Sequence, residues 1–296
     1  MSKSLKALTG IAAALFLIGF AFFLFNSFSD DESQSLTVNS AKEHKLTIVT
    51  SILPQEYFVD RIGGDRVQVQ ALVTPGSSPA TYEPSPRQMA ALSEAELFFR
   101  IGVPFENAFI PKIDSMTKQL HIVDTRKGIT IKGNDPHIWL SPRLVKLQAR
   151  TIAEAIIEKD PAGKADYEKN LAELLKDLDA LDALLTKALV PVKGKTFMVF
   201  HPSWGYFADA YGLEQQSIEV EGKEPSGRQL IRMVELSQNE DVRVIFVQPQ
   251  FNMASANRIA KAINGVVVPI DPLARDYIGN LQQVATTVLE ALQQQD

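Results

Sequence analysis

The chain contains no cysteine. Disulfides, thiolate metal sites, a cysteine nucleophile and lipidation of an N-terminal cysteine are therefore excluded, although this does not identify the compartment. Positive charge is also in the minority. There are 30 lysines and arginines against 35 aspartates and glutamates, a net charge of −5. Nucleic-acid surfaces are normally basic, so nucleic acid is not an expected partner. Histidine is scarce, with four in the chain. The common catalytic signatures are missing as well. Gly194-Lys195-Thr196 resembles the end of a phosphate loop, but the glycine required five positions before Gly194 is replaced by Leu189. There is no G-x-S-x-G elbow, no H-E-x-x-H, and no G-x-G-x-x-G after a strand. Bond-making chemistry is not expected.

What is present is a globular mixture, 45% apolar and 22% charged over 296 residues. At about 150 residues per domain that length suits two lobes. Residues 7–25 carry no charge and follow Lys3 and Lys6. A helix over them would be about 28 Å long, close to the hydrocarbon thickness of a bilayer. The basic end belongs in the cytoplasm, which puts the rest of the chain outside. An uncleaved anchor is expected over 1–29. A cleaved signal peptide is the competing reading, with Ser27-Phe28-Ser29 as a weak cleavage site. Residues 30–45 are polar and read as a tether.

Beyond the tether, β-rich runs alternate with helical stretches. Strands are expected at 46–51, 67–73, 97–101, 121–123, 196–200, 217–220, 242–247 and 266–270. Helices are expected at 55–62, 86–94, 204–211, 227–237, 254–263 and 276–292. Alternation of this kind implies parallel sheets, here an α/β fold in two lobes, 46–160 and 191–296. Between them Tyr167, Leu171, Leu174, Leu178, Leu181 and Leu185 recur at spacings of three and four. They mark one long helix over about 161–190, started at Asp160-Pro161. A stiff connector fits better than a dimeric coiled coil, because no heptad is sustained; a monomer is expected.

Each histidine can be weighed. His44 lies in the tether, and His121 opens a short strand, where a surface position is expected. His137 sits in Asn134-Asp135-Pro136-His137-Ile138-Trp139, just before the helix start Ser141-Pro142. His201 directly follows the strand at 196–200, and Asp271 directly follows the strand at 266–270. Ligands of open α/β sheets bind at the carboxyl ends of strands, so His201 and Asp271 share a rim. Two imidazoles and a carboxylate suit zinc or manganese. On spacing alone, a hydrogen-bonded structural role for each histidine competes with that reading.

The same residues carry a resemblance. IVTSILPQEYFVDRIGGDRVQVQALVTPGSSPATYEPSPRQMAALSEAELFFRIGVPFE, NDPHIWLSPR, FMVFHPSWGYFADAYGL, EGKEPSGRQL, IFVQPQFN and PIDPLARDY follow one another across about residues 46–277. In this the chain resembles the zinc- and manganese-binding solute-binding proteins of metal ABC importers, the periplasmic TroA-like superfamily. The resemblance implies two α/β lobes bridged by one long helix, with the metal held in the cleft and handed to an ABC permease. It implies His137, His201 and Asp271 as ligands of Zn2+, or alternatively Mn2+. It also exposes a departure. Where the family usually has a further histidine, this chain reads Pro79-Ala80-Thr81-Tyr82-Glu83-Pro84. The histidine- and acid-rich insertion of many zinc-specific members is missing too, since 111–133 holds only His121. Three explanations follow: water or a nearby acid completes the site, the site serves another metal or solute, or it is vestigial in an adhesion or interaction module. Glu83 and Glu224 are the nearest acids in the matching segments, and capping or hydrogen bonding is expected of them ahead of direct ligation. The reading is an extracytoplasmic receptor tethered to the inner membrane through residues 7–25.

Overall fold

In a computed structural model the structure describes residues 45–117, 119–219, 227–239, 242–251 and 253–294. The anchor and tether of the sequence reading, with His44, lie outside the described residues. Residues 45–296 form one compact unit.

The first lobe is a parallel sheet of β1 (Leu46–Thr50), β2 (Val67–Ala71), β3 (Leu97–Arg100) and β4 (His121–Asp124), in the order β2-β1-β3-β4. Its helices are α1 (Leu53–Gly63), α2 (Pro86–Glu94), α3 (Pro104–Met116) and α4 (Pro142–Lys159). All four start with proline in the first turn, where the missing N–H costs nothing. Ser85 and Gln88 add a reciprocal capping box to α2. Helix α3 was not expected from the sequence. Its pattern is masked by Pro111 inside the helix.

The second lobe repeats the plan. Strands β5 (Thr196–Val199), β6 (Glu214–Ser217), β7 (Val244–Val247) and β8 (Val266–Pro269) are all parallel, in the order β6-β5-β7-β8. Helices α6 (Gly205–Tyr211), α7 (Gly227–Asn239), α8 (Met253–Ala262) and α9 (Tyr277–Gln293) complete it, with α5 described below. Both faces of this sheet are covered. Phe197, Val199, Val244 and Phe246 face the main core, while Met198, Ile245 and Val247 face a second cluster with Ile218 and Ile259. Strand β6 begins three residues earlier than expected. It is an edge strand of sequence Glu-Gln-Gln-Ser, too polar to look like one.

Between the lobes runs α5 (Lys164–Leu189), 26 residues long and about 39 Å from end to end. Tyr167, Leu174, Leu178, Leu181, Leu185 and Leu189 are its buried stripe. It packs on α1 and α4 of the first lobe and α9 of the second. The expected start is displaced: Pro161–Gly163 form a 3-10 turn, and Asp160 instead accepts hydrogen bonds from Tyr167 Oη at 2.6 Å and Arg66 Nε at 2.8 Å.

Candidate metal-binding cleft

In a sheet of order 2-1-3-4 the crossovers leave in opposite directions from the two central strands, and a crevice opens beyond their carboxyl ends. In the second lobe those strands are β5 and β7. His201 lies two residues past the end of β5, and Gln248 is the first residue past β7. The buried Gln248 amide ties the two segments together. Its Oε1 accepts from His201 N at 3.2 Å, and its Nε2 donates to His201 O at 2.8 Å and Ser203 Oγ at 3.0 Å. Phe251 stacks on the His201 ring with centroids 4.8 Å apart. The buried Glu219 carboxylate makes a short hydrogen bond to His201 Nδ1.

From the first lobe comes His137. Asp135 Oδ1 accepts from its backbone N–H at 2.9 Å and lies 2.6 Å from its Nδ1. Both imidazoles therefore have Nδ1 engaged by a carboxylate, which fixes the ring and leaves Nε2 as the nitrogen free to meet a ligand. The two rings stand 5.3 Å apart at 74°. Burial pushes the His137 imidazole below its ordinary range, against the pull of Asp135 toward the charged form. Next to it, Trp139 Nε1 donates to Pro272 O at 2.7 Å and so joins the lobes at the cleft.

Asp271 has a different setting. Its Oδ1 accepts from Leu273 N at 2.9 Å and Gln250 Nε2 at 3.0 Å, and its carbonyl accepts from Asn280 Nδ2 on α9 at 2.7 Å. It lines a smaller cavity of about 180 Å³, whereas His137 and His201 line one of about 510 Å³. Gln250 lines both. The structure thus brings the two histidines together and holds Asp271 behind the Gln250 side chain. Among the described residues no three histidine, aspartate or glutamate side chains form a ready metal-binding group.

Ala80 lines the larger cavity with His137 and His201, and offers only a methyl group there. Glu83 is exposed and outside the lining of either cavity, while Glu224 lies outside the described residues. His121 is an exposed residue on the edge strand β4. Sequence reasoning missed Asp135, Glu219 and Gln248. The signal for Glu219 was the rim rule itself: with β6 ending at Ser217, Glu219 falls just past a strand's carboxyl end.

Residues 48–291 match the family model described as ZnuA, zinc-uptake complex component A, periplasmic. A putative metal-binding protein of Chlamydia trachomatis is 29% identical over 92% of this chain and 97% of its own. The high-affinity zinc uptake system protein ZnuA of Bacillus subtilis is 27% identical over 85% of each chain. A crystal structure of ZnuA superposes with a TM-score of 0.81 at 43% identity, covering 84% of this chain and 99% of that one.

Proposed function

The chain belongs to the family of periplasmic zinc-uptake components, and from that premise we propose that it captures one divalent metal ion in its cleft and delivers it to an ABC permease. The family is one of transport proteins rather than enzymes. Zinc is the first candidate and manganese the second. In this reading His137 and His201 coordinate through Nε2, and Asp271 joins them once Gln250 yields its hydrogen bond. Three protein ligands leave a fourth position, as is normal for a zinc site that is not closed. The observation that carries the reading is the pair of facing imidazoles, each with Nδ1 held by its own carboxylate. Such a pairing orients the ring and raises its basicity as a metal ligand.

The lobes 46–160 and 191–296, the linking helix 161–190, the tether 30–45 and the anchor 1–29 belong to the same proposal, as do the monomeric state and inner-membrane attachment. Metal content after purification without added metal, followed by calorimetry of the stripped protein, tests it. The expected result is one zinc per chain, with His201→Ala losing most of the binding while remaining folded. Unchanged zinc and manganese affinity in that variant would remove His201 from the site.

A further inference from the structure

The cavity beside the two histidines is far larger than an ion. Its volume of about 510 Å³ lies in the range of roughly 300–1,000 Å³ typical of small organic ligands. A water molecule takes only about 30 Å³ of the liquid. Apart from the imidazoles, much of the cavity wall offers carbon rather than donors to an ion. Pro79, Val103, Pro104, Trp139, Phe251 and Leu273 present carbon, and Ala80 adds a methyl. An ion gains nothing from such surface, whereas an organic body gains about 25 cal/mol for each Å² it buries. Beside the two histidines, the polar part of the same lining is Ser78, Lys132, Asn134, Asp135, Gln215 and Gln250. Lys132 is half-exposed and paired with Asp209, so a cationic head stands at the cavity without being buried.

The donor count points the same way. Each imidazole has one nitrogen left for a metal, and Asp271 is the one carboxylate in the proposed set. A four-coordinate ion held by those three ligands keeps one position that the proposed set does not fill.

We propose that the cleft takes its divalent ion together with a small amino-acid-type chelator, whose metal-binding head fills the open position and whose aromatic or apolar body lies in the cavity against Trp139 and Phe251. This rests on the metal-receptor reading above. The carboxylate of such a chelator meets Lys132 or the ion, and its charge offsets that of the metal.

The test uses the full chain, stripped of metal, with zinc chloride alone and zinc chloride plus L-histidine. Native mass spectrometry should show one zinc and one histidine added together to the chain. Calorimetry, expressed against free zinc, should show affinity raised at least about tenfold by saturating histidine, equivalent to about 1.4 kcal/mol. Ala80→Phe, a change at an exposed position that fills the cavity, should abolish that gain. Zinc bound alone, with histidine acting only as a competitor in solution, overturns the inference and leaves the receptor reading standing. Absence of zinc binding in either titration overturns both.

Discussion

At the residue scale the site is governed by carboxylates that do not touch the metal in the proposed arrangement. Glu219→Gln keeps the shape but removes the charge behind His201. It should weaken zinc binding by about 10–100-fold, the usual cost of losing such a partner; calorimetry measures it, and full affinity would show that Glu219 is not needed to orient the ring. Ala80→His adds an imidazole to the same cavity wall. If it reaches the ion, zinc affinity should rise by about 10–100-fold, or about 1.4–2.7 kcal/mol. His137 makes a prediction for the metal-free protein. Its folded-state pKa is lowered by burial, so the unfolded chain binds the proton first as pH falls. The stability this neutral ring contributes is complete above about pH 6.5 and is lost progressively below it, toward the lower folded value. Urea unfolding from pH 7.5 to 5 should show that loss, and His137→Gln should reduce it. His201 and Asp271 could be placed on the sheet rim from the strands before them, whereas His137 entered as a candidate ligand through the resemblance; the structure pairs the two histidines and sets Asp271 in a neighbouring cavity. Their partners were not legible, because a carboxylate on a loop has no periodicity, and because the polar edge strand β6 was read three residues too late.

At the element scale, most of the fold was legible where burial imposes a period. The leucine stripe of α5 is the plainest case. Leu178 is completely buried, and Leu178→Ala should cost about 2–5 kcal/mol, measured by chemical denaturation. The turn after β3 was not legible. Gly102 adopts φ +90°, and a Cβ there would lie 2.3 Å from the Arg126 guanidinium. This turn sets Val103 and Pro104 in the cavity wall. Gly102→Ala should cost about 1–3 kcal/mol in backbone strain alone, again read by denaturation. A neutral result would mean the turn relaxes freely. Helix α3, just beyond, escaped notice because Pro111 ordinarily signals a break, whereas here the surrounding apolar residues Phe105, Phe109 and Ile113 hold the helix against the core.

At the scale of the whole molecule, the two lobes are tied at several places. Trp139 reaches Pro272, and Arg275 of the second lobe pairs with Glu56 and Asp60 of α1. Arg275 itself is half-exposed, so these pairs should contribute little to stability. Attachment to the membrane has a direct check: the mature N-terminus should retain residues 1–29, and a start at Asp30 or later would mean that the segment is cleaved. Helix α5 bears on how such a protein is recognised. An unbroken rod packed on both lobes resists bending, so capture should not swing the lobes like a trap. X-ray scattering profiles of empty and laden protein should superimpose, and a clear contraction would contradict this. In the proposed transport role, a permease would then have no change of outline to sense. On that premise the two states would differ in the chemistry of the cleft mouth, and the news of a loaded receptor would be carried by charge and side-chain position rather than by shape.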